Sequence, residues 1–399
     1  MTIIRIDEPR LRLPASKPGW KAFTAMAFRP LYLGAALFGA ISVLAWVLGF
    51  NGSPALPGML WHGHEMIWGY AGAIVVGFLL TAGATWTGHK TLSGAPLAGL
   101  VAIWFAARLA AALETGSPLL TGILSVGFLV FAALALALPV IRSRNRRNYA
   151  LVVLLLVFAL ADALFLLATN GRLAVDPLRI LYAGLLLVSG FIGVIGLRVI
   201  PFFTHRALQR PQVGHPRWLG FAAIAAPLIL AAMLLFGVDA SVAPLVGLAG
   251  MTLNLVVLWR SGHPAMLHHP LLWVLFAGYS LTAIGLGLSG VALGLPQYSW
   301  MMPAAVHTIA VGGIGTLTLG MMTRTALGHT GRRLELPANQ RSAYLLMLLA
   351  TALRVAAALP GAPQLLLLLA GITFAGALAL FVLRYGAWLL STRADGLPG

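Results

Sequence analysis

The chain has 399 residues, 60% of them hydrophobic and 9% charged, with no cysteine and a formal net charge of +17. Soluble domains carry about a quarter charged residues, so this composition excludes one and points to a protein that crosses a membrane many times. The basic residues sit in short clusters between apolar runs, as the positive-inside bias requires, which makes lipid the expected surroundings and argues against nucleic acid as a partner.

Residues 1–30 form a polar lead containing Arg5, Arg10, Arg12, Lys17, Lys21 and Arg29. It lacks the compact charged, apolar and small-residue regions of a cleaved signal peptide, so the first apolar run is expected to remain as an anchor. Windows long enough to cross about 30 Å of hydrocarbon then recur near residues 31–50, 67–86, 96–113, 119–141, 149–169, 180–200, 218–236, 242–259, 271–293, 303–322, 342–359 and 365–385. The expectation is an all-α polytopic protein with about twelve transmembrane helices in one domain, residues 31–385, followed by a tail at 386–399. Lys and Arg collect in the lead, the loop from Arg142 to Arg147, loops 201–217 and 323–341, and the tail, whereas loops 51–66, 114–118, 237–241, 294–302 and 360–364 hold none. That alternation places both termini in the cytoplasm.

The same topology sorts the ten histidines. His62 and His64 precede the second span and His307 opens the tenth, all on the outer side, while the other seven lie in or near inner loops. Histidines at a membrane boundary are costly and mark function more often than ordinary surface residues do. Without cysteine, thiolate copper sites, iron–sulfur clusters and c-type haem attachment are excluded, so a metal must rest on imidazole, carboxylate or thioether. Two neutral imidazoles from facing helices suit a b-type haem; copper would accept imidazole together with the Met66 thioether. Glu65 is a candidate metal ligand or the acceptor that orients a ligand imidazole. Residues two apart on a helix face nearly opposite ways, so His62 and His64 are expected to serve different sites if that stretch is helical. Gly69, Gly72, Gly77, Gly312, Gly313 and Gly315 either let a flat macrocycle approach or let helices pack closely.

Arg108, Asp162 and Arg354 each fall roughly 18 Å from the inner end of their helix at 1.5 Å per residue, so they share a depth. They can pair with one another to pin the bundle, or an arginine can hold a haem propionate. Arg198 begins a segment in which Pro201 is expected to end the helix. Arg324 and His329, in an inner motif running to Arg332, are candidates for an anion, a quinone headgroup or a propionate, or simply part of a basic inside loop. His263, His268 and His269 read as a solvated loop, with copper coordination the alternative.

Several segments together resemble the NnrS family: Phe28-Arg29-Pro30, Trp61-His62-Gly63-His64-Glu65-Met66, Trp86-Thr87-Gly88, the run from Arg198 to Thr204, and the run from Met322 to Arg332. They occur in order over nearly the whole chain. The resemblance implies a bacterial inner-membrane protein of about twelve helices that contains haem and copper and is linked to nitric oxide metabolism and tolerance of nitrosative stress. A departure is His89-Lys90, where Arg-Pro commonly follows the Thr-Gly pair. A more distant similarity of architecture joins the chain to the main subunit of haem-copper oxidases, which hang a low-spin haem between histidines of helices 2 and 10. The three-imidazole copper site of that superfamily has no counterpart here, since spans 6 and 7 carry no intramembrane histidine.

The expectation is therefore a haem b protein, with copper as a second metal, that binds or converts nitric oxide. Its axial ligands would be His307 with His62 or His64, and Arg108, Arg198, Arg324, Arg354 and His329 are candidates around the cofactor. No catalytic residue and no electron donor is named by the sequence, although quinol is one candidate donor. Two other classes stay open: a proton-coupled twelve-helix secondary transporter, and a non-catalytic sensing or assembly factor.

Overall fold

The computed structural model describes residues 17–113 and 117–397. Arg5, Arg10 and Arg12 of the lead lie outside the described residues. Eleven helices are long and apolar enough to cross a membrane: α1 Phe28–Val47, α2 Met59–Thr87, α3 Ala95–Ala112, α4 Pro118–Arg142, α5 Arg146–Thr169, α6 Pro177–Leu208, α7 Arg217–Phe236, α8 Ala240–Arg260, α9 Pro270–Gly294, α10 Pro296–His329 and, last in the chain, α12 Gln364–Leu389. Between the last two runs α11, Gln340–Ala356, with 17 residues and Arg354 near its end. The described ends of the chain meet: Gly19 N–H donates to Leu390 O at 3.0 Å and Thr392 N–H to Lys17 O at 3.1 Å. Ends on one side require an even number of crossings, so α11 is the twelfth span.

Consecutive helices pack against one another around the bundle, and α12 returns to pack on α1. The most buried spans are α2 and α6, with 78% and 72% of their apolar windows inside the protein, and α9 and α10 follow at 67%. A helix apolar all round belongs inside a bundle, and two of these inner helices, α2 and α10, carry His62, His64 and His307. Glycine does much of the packing. A side chain at Gly313 would lie 2.2 Å from Thr282 Oγ1, one at Gly69 2.3 Å from Arg108 Nη1, and one at Gly77 3.1 Å from the Tyr32 ring. These glycines serve close helix contact rather than a cofactor face.

The helices differ from the sequence expectation in two places that matter. α2 begins at Met59, so His62 and His64 lie inside its first turns. α6 runs through Pro201 to Leu208, because a proline removes one hydrogen bond from a membrane helix without ending it when neighbouring helices hold it. Two spans also change winding. α2 is a π-helix over Glu65–Ala71 and α10 over Thr308–Gly315, each directly after a histidine, His64 and His307. Wide turns of this kind are uncommon and recur at functional sites.

Candidate functional site

His62 and His64 face different surroundings. The His64 ring is fully buried, stacked on Phe165 at 5.6 Å and against Trp68 at 5.4 Å. Its Nδ1 lies 2.7 Å from Glu65 Oε1 and its Nε2 2.9 Å from Asp162 Oδ1. Arg108 Nη1 donates to the same Glu65 oxygen at 2.9 Å, and Arg108 Nη2 to Ser125 Oγ at 3.2 Å. Ser125 Oγ donates in turn to Asp162 Oδ2 at 2.7 Å. For both ring nitrogens to donate to carboxylates, His64 must be an imidazolium; it and Arg108 then balance Glu65 and Asp162. In this arrangement neither nitrogen keeps a lone pair for a metal. The network ties α2, α3, α4 and α5 together, and Arg354 is not part of it.

His62, one hundred degrees per residue further round the helix, faces a cavity. Its walls include Trp46 of α1, Met66 and Tyr70 of α2, His307 of α10, Arg354 of α11 and Phe374 of α12. The His62 ring stacks on Trp46, with centroids 5.0 Å apart and planes 12° from parallel, and its Nδ1 is buried without a hydrogen-bond partner among the described residues. His307 Nδ1–H donates to Pro303 O at 2.7 Å, which leaves Nε2 with its lone pair. A backbone carbonyl fixing the tautomer in this way is the usual support of a metal-binding imidazole. Arg354 is an electrostatic neighbour of both rings, and among the described residues it has no hydrogen-bond or carboxylate partner.

A repeat explains why. The pattern His64-x4-Gly69-x2-Gly72-x4-Gly77 recurs as His307-x4-Gly312-x2-Gly315-x4-Gly320, and Arg108-Leu-Ala-Ala-Ala-Leu recurs as Arg354-Val-Ala-Ala-Ala-Leu. α2 and α3 therefore correspond to α10 and α11. Where the first copy has Glu65, the second has Thr308, whose hydroxyl is spent on Ala304 O at 2.8 Å. Arg354 thus lacks the carboxylate that Arg108 has.

The remaining candidates lie elsewhere. Arg324 is 17 residues along α10 from His307, roughly 25 Å, with its guanidinium 3.6 Å from the Phe203 ring centroid. His329 packs on Phe28 at 5.5 Å, at the same inner end. Arg198 donates to Asn148 Oδ1 at 2.9 Å and to Arg147 O at 2.8 Å, fixing an inner loop. His263 Nδ1 accepts from Ala265 N–H at 3.1 Å and starts a short turn. Among the described residues no group of three His, Asp or Glu side chains is arranged to hold a metal ion. Tyr70, Trp46 and Phe374 were not singled out from sequence; Tyr70 follows Met66 by one further turn on the face of His62, and the two others become visible only once α1 and α12 are known to pack on that face.

The cavity's donors fit a haem better than an all-protein copper site. Two imidazoles with free nitrogens, an arginine awaiting an anion and aromatic walls match an iron porphyrin with acidic side groups. Copper would find only His62, His307 and Met66, so the two metals would draw on the same imidazoles.

No curated protein matches the sequence. The model of the family described as NnrS protein matches residues 22–393. With nearly the whole chain covered, the protein belongs to the NnrS family.

Proposed function

We propose that this is a haem b protein of the bacterial inner membrane, with His62 and His307 as the ligands and nitric oxide as the molecule it meets there. The observation that carries the reading is the convergence on one cavity within the membrane span of two imidazoles and Arg354, which has no partner among the described residues. Haem iron would supply the nitric oxide-binding and electron-accepting chemistry. His307, oriented by Pro303 O, presents Nε2, and His62 is held by its stack on Trp46. Arg354 provides the positive charge that an acidic side group of the macrocycle requires in a low-dielectric setting. The apolar wall residues, Val43, Val311, Ile314 and Phe374 among them, would limit water around a bound haem. The His64 network holds α2 in register so that His62 faces the cavity. Copper, if bound, would need the same imidazoles together with Met66. The cytoplasmic placement of both termini rests on the basic clusters at the end of the bundle where they meet.

The test is the absorption spectrum of the purified protein and of its His307→Ala variant. A reducible Soret and alpha-band spectrum in the wild type, lost or converted in the variant, supports the reading. A folded, colourless wild-type protein overturns it.

A further inference from the structure

A second cavity lies directly below the first along the seam between α2 and α10. The faces that line the two are continuous. On α2, Met66, Ile67 and Tyr70 line the outer cavity and Ile74, Val75 and Phe78 the inner one. On α10, Val311 and Ile314 are followed by Leu317, Thr318 and Met321. One side-chain pair closes the seam between them: Tyr70, in the wall of the outer cavity, has its hydroxyl 2.9 Å from Thr318 Oγ1, in the wall of the inner cavity.

The inner cavity contains no histidine, no charged side chain and no carboxamide. Its hydroxyls are Thr318, already engaged by Tyr70 and by Gly315 O at 3.1 Å, and Tyr32, whose hydroxyl is buried without a hydrogen-bond partner among the described residues. Apart from the buried Tyr32 phenol, no side chain there can ligate iron, and none carries a charge to hold an anionic group. Cavities of this composition stay dry and take up small apolar molecules such as xenon. Ile195, Val199 and Met321 in its wall are only half-buried, so it is not sealed from its surroundings.

We infer that the inner cavity is a binding site for a small uncharged apolar gas and the route by which that gas reaches the outer cavity, with the Tyr70–Thr318 pair as the closure between them. An apolar diatomic molecule gains by leaving water for such a space and loses nothing in hydrogen bonds. A quinol headgroup or a second haem would find only the buried Tyr32 hydroxyl there, and no imidazole or charged group. That the site takes an apolar gas follows from its walls; that the gas is nitric oxide rests on the function proposed above.

The experiment has two arms. Crystals of the full-length protein under xenon pressure are expected to show xenon between Ile74, Val199 and Leu317, a result that does not depend on haem. In the second arm, nitric oxide recombination with the reduced protein after photolysis is compared in wild type, Val199→Trp and Ile195→Phe, the last as the milder filling should the tryptophan disturb folding. Filling the cavity is expected to slow bimolecular recombination by about tenfold while leaving the haem spectrum unchanged. No xenon in the inner cavity overturns the site. Xenon bound with recombination unchanged in both filled variants overturns the route. If the protein carries no haem, the xenon arm still decides the site, and only the functional reading of the outer cavity fails.

Discussion

Arg354 stands in α11 at the place Arg108 holds in α3, yet Arg108 meets Glu65 at 2.9 Å whereas Arg354 faces a cavity with no carboxylate beside it. One motif has been used twice, once closed by its own ions and once with no such partner among the described residues. An intramembrane arginine without a partner is costly, and the cost is relieved when an anionic group binds beside it.

The two arginines should therefore fail differently. Arg354→Leu is expected to fold and to lose bound haem, measured as haem per protein. Arg108→Leu leaves two buried carboxylates, Glu65 and Asp162, facing the single His64 imidazolium, which costs about 3–5 kcal/mol, and should lower thermal stability first. Equal haem loss with equal stability in the two variants would contradict the division of roles.

Close helix packing gives a second expectation. A methyl at Gly313 meets Thr282 Oγ1 at 2.2 Å, so Gly313→Ala should destabilise the bundle by about 1–3 kcal/mol. Gly99, with nothing within 4 Å of its would-be side chain, should accept alanine at almost no cost. Thermal unfolding of the two variants in detergent checks the difference, and a neutral Gly313→Ala would show that α9 and α10 can separate there freely.

At the inner end, outside the spans, Arg393 Nη2 donates to Asp395 Oδ2 at 2.6 Å and this pairing holds the carboxyl down at about 2, against 3.8 ordinarily. A depressed carboxyl stabilises the folded state above its unfolded value and loses that contribution as pH falls. The difference in melting temperature between wild type and Asp395→Asn should accordingly be constant at neutral pH and close as pH drops from about 3.8 toward about 2. A difference that grows in that window would reverse the sign.

Much of this was legible in the sequence, for identifiable reasons. Hydropathy located every span, because a helix in lipid must be apolar over its length, and it placed α11 despite that helix being short. It started α2 eight residues late, at 67 rather than 59, because His62, His64 and Glu65 depress the local hydropathy of a stretch that is helical all the same. The opposite orientation of His62 and His64 followed from helical geometry alone. Which of them faces His307 did not: the repeat pairs His64 with His307, and only the packing of α2 on α5 shows that Asp162 and Glu65 claim the His64 ring. The π-turns after His64 and His307 leave no residue signature that would have announced them. The shared depth of Arg108, Asp162 and Arg354 was visible, but depth cannot say that Ser125 bridges the first two while the third faces another helix pair.

The most direct test of the site compares low-spin haem, by absorbance and electron paramagnetic resonance, in His62→Ala and His64→Ala. We expect His62→Ala to fold with near wild-type stability and to lose the low-spin signal. His64→Ala should lose about 3–5 kcal/mol of stability, since two buried carboxylates are left facing one arginine, while the fraction that remains folded keeps the signal. A low-spin signal retained in His62→Ala and abolished in folded His64→Ala would contradict the assignment and move the ligand to the other face of α2.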